Sequence, residues 1–319
     1  MASVRAEQSK LRIAADEDNS RLDRVLIRRL GAERRPLILR LIRKGNVRLN
    51  RKRARPESRV RQGDEVFLPA SLRQPVYDKP EAGIPRALLN RAGEVRVLYE
   101  DDALLAVDKP AGIVVHAGSG YHAGLIEALR EVRGLADLRL AHRLDRDTSG
   151  VLLMAKNLNA LRRLHEAFRA HDMQKVYLAL VAGHPRATRG RLHGFLQKGV
   201  VRGGERVVRD DRQGKEALTD YQLMLRLRWQ GLSGALLALK PYSGRTHQLR
   251  VQLADAGHAI LGDGKYGARE ENRRFRALGG RRLALHAWRL RFAHPDDGCT
   301  MEIRASWPEE WKALIRAGL

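Results

Sequence analysis

Cysteine is nearly absent from this 319-residue sequence, in which Cys299 is the single example. One thiol cannot form an intramolecular disulfide or a cysteine-rich zinc site, which excludes a disulfide-stapled secreted domain and favours a reducing compartment. The eleven histidines are scattered without the spacing of a metal site. A P-loop, a GxSxG motif and a dinucleotide-binding loop in a βαβ setting are also missing. The sequence therefore predicts no cofactor and no metal.

Long apolar runs and aromatic residues are scarce as well. No apolar stretch approaches the length that spans a bilayer, and the first twenty residues lack the apolar core of a secretory signal. We therefore expect a cytoplasmic protein. Aromatic residues make up 5% of the chain, which argues against a platform of interleaved aromatic side chains. The 43% of hydrophobic residues is typical of a folded protein, and the length suffices for two domains.

Positive charge is the feature that the sequence has in excess. The formal net charge is +24, and 49 of the 61 basic residues are arginines. An imbalance of this size repels itself in a compact protein, so it indicates a polyanionic partner. Residues 21–61 alone hold 16 bases and three acids, or +13, which is more than half of the surplus.

This basic stretch also carries the pattern of a small folded module. Ser20 and Pro36 are placed to begin two helices, and Gly31 and Gly45 to end them. Short alternating segments then predict two strands. A helix–helix–strand–strand module of this charge is predicted to bind RNA; the alternative is a solvated charged face without a partner. The predicted RNA-binding residues of the module are Arg43, Lys44, Arg48, Arg51, Lys52 and Arg53.

The remainder of the chain predicts a linker followed by a larger domain. We assign residues 1–19 to an N-terminal tail, 20–70 to the basic module, 71–94 to a proline-rich linker and 95–319 to the larger domain. Strands and helices in the larger domain do not alternate regularly, which predicts an α+β fold with a mixed, largely antiparallel sheet flanked by helices. The predicted strands are 95–98, 104–107, 138–141, 151–156, 175–181, 221–227 and 236–239.

Three polar segments of the larger domain are candidates for a site: HRLDRDTSG at 142–150, QKVYLAL at 174–180 and SGRTHQLR at 243–250. A partly desolvated carboxylate at a strand end is a nucleophile or general base. A tyrosine offers a ring face and a hydroxyl, and Arg250 lies one helical turn beyond Thr246, so it can point back to the helix start. From the chemistry alone, a structural salt bridge with a buried tyrosine explains the pattern equally well.

The three segments, with GHAILGD at 257–263, resemble the RluA-type pseudouridine synthases. Residues 20–69 resemble the S4 RNA-binding domain of the larger members. Residues 105–130 and the HRLDRDTSG segment most resemble the ribosomal large-subunit pseudouridine synthase C group. Ser243, where threonine is commoner, and Gln252, where that group tends to have histidine, depart from the pattern. Leu261-Gly262-Asp263 is nearer to the D group, so the choice between C-type and D-type targets stays open.

The resemblance implies roles for single residues. Asp145 matches the catalytic aspartate, Tyr177 the tyrosine that stacks under the target uracil, Arg250 the basic residue that pairs with the aspartate, and Arg143 the arginine associated with base flipping. Asp147 is expected to shape the turn instead. We also expect Arg245 to contact RNA.

The expected activity is the isomerisation of uridines to pseudouridine in 23S ribosomal RNA, by a monomer and without a cofactor. Two alternatives are a non-catalytic RNA-binding or ribosome-assembly protein that keeps the fold, and a tRNA-modifying member of the same family. The presence of all the matched site residues argues against the first. The basic N-terminal module argues against the second, because the smallest members of the family lack it.

Overall fold

A computed structural model describes residues 10–31, 34–73, 83–117, 122–202, 205–210 and 213–319. The chain forms two compact units, Met1–Gly83 and Ile84–Leu319. The division falls inside the segment predicted as a linker. Each unit has a sheet and a hydrophobic core of its own.

The N-terminal unit is a four-stranded sheet with helices, and its sheet order is β1-β4-β2-β3. Its core is formed by apolar residues at helical spacing, among them Leu22, Leu26, Ile38 and Ile42, all fully buried. Its elements are β1 (Lys10–Arg12), a 3₁₀ turn (Ala15–Glu17), α1 (Leu22–Leu30), α2 (Arg35–Lys44), β2 (Arg48–Leu49), β3 (Lys52–Arg53), β4 (Glu65–Phe67) and α3 (Ala70–Arg73).

The helix ends of this unit agree with the sequence in part. Gly31 and Gly45 follow α1 and α2 as predicted, and Gly45 has the left-handed conformation that glycine adopts without strain. The prediction of Ser20 as N-cap was wrong, because Arg21 occupies that position and no side chain caps the helix. The predicted tail is also shorter than expected, since β1 pairs with β4 and Glu17 is buried against Arg28 and Arg29. Three residues of β1 are too few for a periodic signal.

The C-terminal unit is built on an eleven-stranded mixed sheet, in which most neighbours are antiparallel. The main path is β11-β10-β12-β13-β9-β14-β8-β6-β5, with β15 beside β14 and β7 beside β8. The predicted α+β class is therefore confirmed. Its elements are α4 (Arg86–Gly93), β5 (Val97–Glu100), β6 (Leu104–Lys109), α5 (Leu125–Arg133), β7 (Arg139–Leu140), β8 (Ser149–Ala155), α6 (Leu158–Ala170), β9 (Gln174–Ala182), β10 (Arg189–Arg202), β11 (Glu205–Asp210), β12 (Lys215–Trp229), β13 (Leu232–Pro241), α7 (Gln248–Asp255), α8 (Arg269–Ala277), β14 (Leu285–Ala293), β15 (Thr300–Arg304) and α9 (Glu309–Gly318).

Helices pack against part of each face of this sheet. All seven residues of β8 are buried, as the apolar run in the sequence predicts. Asn157 caps α6 as predicted, because its Oδ1 accepts a hydrogen bond of 2.8 Å from the Ala160 amide. The predicted linker contains α3 and α4, and α4 packs beside α5, so the C-terminal unit begins about ten residues earlier than expected.

A β-bulge in β12 changes which face of the sheet its side chains occupy. Leu223 pairs with Leu237 of β13 and Leu225 pairs with Leu236, which leaves Met224 as an extra residue. Before the bulge Thr219 bonds to Gln252 of α7, and after it Trp229 donates to the Leu314 carbonyl of α9. The same odd-numbered positions therefore face α7 in one half of the strand and α9 in the other.

Candidate active site

The three polar segments singled out in the sequence meet at one pocket of the C-terminal unit. They lie where the loop before β8, the start of β9 and the turn before α7 come together. Leu144, Pro241, Leu249 and Leu285 give the pocket an apolar side. Its polar lining includes Arg143, Asp145, Tyr177, Ser243, Arg245, Thr246, His247 and Arg250.

The loop that carries Asp145 is anchored at its first residue by a half-buried histidine. His142 Nε2 accepts a hydrogen bond of 3.0 Å from the Leu153 amide, and its ring lies 5.4 Å from that of Phe168. Burial lowers the pKa of His142 to about 4, and the charge of Lys175 acts in the same direction. A neutral ring is required here, because a protonated Nε2 could not accept the bond from the strand.

A buried lysine anchors the same loop just beyond Asp145. The Nζ of Lys109 donates to the carbonyls of Pro110, Ile113 and Arg146 at 2.9–3.0 Å, and the side chain is wholly buried. Three carbonyls match the three donors of an ammonium group. Burial nevertheless lowers the pKa of Lys109 to about 7. The Arg146 carbonyl, next to Asp145 in the chain, is thereby fixed in position.

Asp145 itself lies at the pocket with 28% of its side chain exposed. Its Oδ2 is 3.9 Å from His247 Nε2, and its carbonyl accepts from the Thr148 amide at 3.2 Å, which closes the turn. Asp147 is directed elsewhere, since it pairs with Arg146 and has 40% of its side chain exposed. The two carboxylates of the HRLDRDTSG segment therefore have different surroundings, and Asp145 is the one that faces the pocket.

Arg250 lines the pocket but forms its hydrogen bonds with a different aspartate from the one expected. Its Nε and Nη2 each donate at 2.7 Å to Asp263, which is 1% exposed. Burial would raise the pKa of Asp263, yet the bonds and charge of Arg250 lower it overall. The charge of Asp145 raises the pKa of Arg250, so Arg250 and Asp145 interact through space. The expected contact of Arg250 with Asp145 is thus replaced by a second carboxylate that fixes the guanidinium.

Tyr177 lies on the strand predicted for it, half-buried in β9 with its side chain at the pocket. Burial raises the pKa of the Tyr177 hydroxyl, and the negative charge of Asp145 raises it further. The phenol therefore stays protonated. It offers a ring face and an O–H donor within the same pocket as the carboxylate.

His247 and Lys109 were not predicted as site residues. His247 precedes α7 in a left-handed conformation, and its Nδ1 lies 2.8 Å from the Tyr266 hydroxyl. Burial lowers the pKa of His247, while the charge of Asp145 opposes this. His247 stands within the GRTHQLR segment, so the sequence held a signal for it. Lys109, the last residue of a buried strand and followed by a proline, gave no signal for a buried cation.

The predicted RNA-binding residues are at the surface of their units. All six in the N-terminal unit are exposed around α2 and the β2–β3 hairpin. Arg48 and Arg53 are directly opposite each other in that hairpin, and Arg53 also donates to the Arg43 carbonyl at 3.2 Å. Arg245, in the C-terminal unit, is exposed at the rim of the pocket and also lines a neighbouring groove with Gln197 and Lys215.

None of the helices within the described part of the chain is long and apolar enough to cross a membrane. Within the same residues, no group of three or more His, Cys, Asp or Glu side chains could hold a metal ion.

Comparisons with known proteins agree with this fold. A family model described as RNA pseudouridylate synthase matches residues 103–255, and an S4 domain model matches residues 20–66. The chain is 41% identical to ribosomal large subunit pseudouridine synthase C of Haemophilus influenzae, over 98% of this chain and 96% of that protein. It is 42% identical to the Escherichia coli K12 protein of the same name, over 95% and 94% of the two chains.

Solved structures give the same answer. The structure of human RNA pseudouridylate synthase domain containing 4 superimposes with a TM-score of 0.59 at 25% identity, over 73% of this chain and 97% of that one. Human RNA pseudouridylate synthase domain containing 1 gives a TM-score of 0.57 at 28% identity, over 68% and 85% of the two chains. The fold is that of an RNA-modifying isomerase. The chain belongs to the RNA pseudouridylate synthase family and carries an N-terminal S4 domain.

Proposed function

We propose that this protein converts specific uridines of large-subunit (23S) ribosomal RNA to pseudouridine. The observation that carries the proposal is the convergence of Asp145, Tyr177, Arg143 and Arg250 on one pocket. The names of the relatives from Haemophilus influenzae and Escherichia coli support the large ribosomal subunit as the source of the substrate. We propose in addition that it acts as a monomer.

The reaction is an isomerisation, so it needs no redox partner. The bond from N1 of uracil to C1′ of the ribose breaks, the base turns within the pocket, and C5 bonds to C1′. The proton on C5 is then lost and N1 regains one, which balances the atoms. Asp145 acts either as the nucleophile at C1′ or as the base that removes the C2′ proton.

The neighbours of Asp145 support these steps. We assign the Tyr177 ring to stacking against the uracil and its hydroxyl to proton transfer near C5. Arg250, held by Asp263, supplies a fixed positive charge beside Asp145 as charge develops. Arg143 also lines the pocket. We assign it to keeping the pocket open for the target base once that base has flipped out of its stack.

The target base must leave its stack before it reaches this pocket, at a cost of a few kcal/mol. Phosphate contacts distributed over a large RNA can supply that free energy. We assign such contacts to the six exposed bases of the S4 domain, and a contact beside the pocket to Arg245.

The test is to incubate the protein with unmodified large-subunit RNA and to map pseudouridine at single-nucleotide resolution. Wild type is expected to modify discrete uridines. Asp145→Asn should abolish the product while its RNA affinity stays near that of wild type, because the change removes the charge and keeps the shape. Asp147→Asn is the matched control; its ion pair is exposed, so about 1 kcal/mol or less of stability and little activity should be lost.

Three outcomes would contradict the proposal. Turnover by Asp145→Asn would remove the assigned role of the carboxylate. Binding without any pseudouridine formed by wild type would favour a non-catalytic RNA-binding or ribosome-assembly role. A parallel reaction with bulk tRNA tests the alternative substrate, and preferential modification of tRNA would overturn the ribosomal assignment. The mapped positions also decide between C-type and D-type targets.

A further inference from the structure

The sheet of the C-terminal unit carries a row of charged side chains on the face opposite to the pocket. The strand register aligns Arg191 of β10 with Asp220 of β12, and Asp220 with Lys240 of β13. On the other side of β9, Val176 is aligned with Arg289 of β14. We call these residues the back-face row, together with Arg304 of β15, which is aligned with Arg289.

The two halves of the row meet at β9. Ala238 pairs with Leu178, so Lys240 and Val176 lie two residues further along the same pair of strands. Neighbouring strands are about 4.8 Å apart, and the row crosses six of them, so it extends over about 24 Å. Val176 and Tyr177 are consecutive in β9 and therefore point to opposite faces. Since Tyr177 lines the pocket, the back-face row lies on the reverse of the same strands.

The row is open to solvent and basic. Arg191 and Arg304 are exposed, and Lys240 and Arg289 are half-buried. Arg291, one pair of residues beyond Arg289, is exposed and has the same orientation. The described residues of this patch include five basic side chains and two acidic ones. Asp220 is bound by Arg191, and Glu302 by Arg289 and Arg304.

The like charges of the back-face row destabilise the fold unless an anionic partner neutralises them. Arg289 and Arg304 are directly opposite each other in an antiparallel pair, and like charges in that position destabilise a sheet. Within the described residues, neither Lys240 nor Arg291 forms a salt bridge, so their charge remains available. A positive row of this kind fits the phosphates of a nucleic acid.

Tyr242 links the row to the pocket. It is 37% exposed, and its hydroxyl donates to Asp220 at 2.6 Å. The cations of Lys240 and Arg191 lie 5.5 and 5.9 Å from the ring centre, which fixes the ring beside the row. The next two residues of the chain, Ser243 and Gly244, line the pocket. An RNA strand leaving the pocket would meet Tyr242 first and the back-face row next.

We propose that the back-face row binds the phosphates of the substrate RNA on one side of the target uridine, with the Tyr242 ring stacked on a base at the turn. This inference rests on the proposed function, because it takes the same RNA as substrate. It adds a second contact surface within the catalytic domain, separate from the S4 domain and from the residues that line the pocket.

The test compares two triple variants of the full chain with equal loss of charge. The row variant carries Lys240→Gln, Arg289→Gln and Arg291→Gln. The control variant carries Arg162→Gln, Arg169→Gln and Arg228→Gln, which are exposed arginines outside the row. RNA affinity is measured from low to high salt with a long large-subunit fragment and with a short stem-loop restricted to the mapped target.

We expect the row variant to reduce the slope of log affinity against log salt by about 2 on the long fragment, since each lost phosphate contact removes about 0.7 of slope on single strands. The control should keep the wild-type slope on the long fragment. Equal slopes for the row variant and wild type would overturn the inference, as would an equal reduction in both variants.

The outcome separates the inference from the proposed function. If wild type forms no pseudouridine in either RNA, the proposed function fails. If wild type is active and the row variant binds the long fragment with unchanged affinity and slope, the function stands and the back-face row is not an RNA contact. Tyr242→Leu should weaken binding to the long fragment at high salt, where stacking persists, and Tyr242→Phe should keep it.

Discussion

Arg250 and Asp263 form a two-point ion pair at the pocket, with both N···O distances at 2.7 Å and the Asp263 side chain 1% exposed. Asp263 also accepts hydrogen bonds from the amides of Lys265 and Tyr266. The carboxylate is therefore fixed to the backbone, and the guanidinium is fixed to the carboxylate. Asp263 acts on the pocket through Arg250, which makes it a positioning residue.

Asp263→Asn should destabilise the protein by about 3 kcal/mol, because it leaves a partly buried guanidinium without its counter-charge. Pseudouridine formation should fall in kcat more than in KM, since Arg250 is misplaced while RNA contacts elsewhere remain. The measurement is urea unfolding together with single-turnover and steady-state kinetics. A double-mutant cycle with Arg250→Gln should show strong coupling between the two changes. Additive effects would show that loss of the Arg250–Asp263 ion pair does not cause the falls in stability and kcat.

Lys109→Met should cost several kcal/mol of unfolding free energy. The change removes the ammonium group that donates hydrogen bonds to the carbonyls of Pro110, Ile113 and Arg146. Each buried polar group left without its partner costs about 1–3 kcal/mol. Tryptophan fluorescence reports on this domain selectively, because all four tryptophans lie between residues 229 and 311. Lys312→Met, at an exposed lysine paired with Glu309, is the control and should change stability little. Equal stability of both variants would contradict the anchoring role.

Stability should fall as the pH is lowered from 7 to 5. Burial lowers the pKa values of His142 and His286 to about 4, below the 6.5 of an unfolded chain, so the unfolded state binds protons first. Each histidine should therefore lower the free energy of unfolding by about 2 kcal/mol between pH 7 and pH 5. Neither should contribute to the pH dependence well above pH 6.5. Urea unfolding followed by tryptophan fluorescence measures this. In His142→Gln the pH dependence should shrink, and an unchanged slope would contradict the assignment.

The β2–β3 hairpin should contribute to RNA affinity more than to folding. Its turn residues Asn50 and Arg51 have positive φ values of 47° and 63°, and Arg48 lies directly opposite Arg53. Replacing Arg48, Arg51 and Lys52 by glutamine removes like-charge repulsion, so the unfolding free energy should stay equal or rise. The salt slope of RNA binding should fall by about 2. A lower stability with an unchanged slope would show that these bases serve the fold instead.

Much of the fold was predictable because its signals are local. The buried run of β8, the Asn157 cap and the glycines after α1 and α2 follow from short-range preferences. The positions of β1 and β14 did not, because β1 is short and β14 pairs with β8 and β9, which are distant in the sequence. The prediction of Ser20 as a cap was wrong for a related reason: residues 20 and 21 bond to the segment around Arg59, which displaces the helix start.

The candidate site, too, was predictable only where its signals are local in the sequence. The HRLDRDTSG segment directs attention to Asp145 through its resemblance to a family, and local chemistry alone does not separate it from Asp147. The separation is visible once the fold orients the one towards His247 and the other towards Arg146. The Arg250–Asp263 pair and the carbonyl cage of Lys109 join residues 13 and 37 positions apart, which no periodic pattern encodes.

The extra residue in β12 has a consequence for the length of this strand among relatives. Because Met224 is unpaired and 40% exposed, its loss would restore a regular ladder while Leu225 keeps its partner Leu236 and Trp229 keeps its side of the sheet. Loss of a residue further along would instead turn every later side chain over. In relatives of this protein, single-residue deletions within β12 should therefore occur at the position of Met224. A relative that is one residue shorter there should bury the side chains equivalent to those buried here.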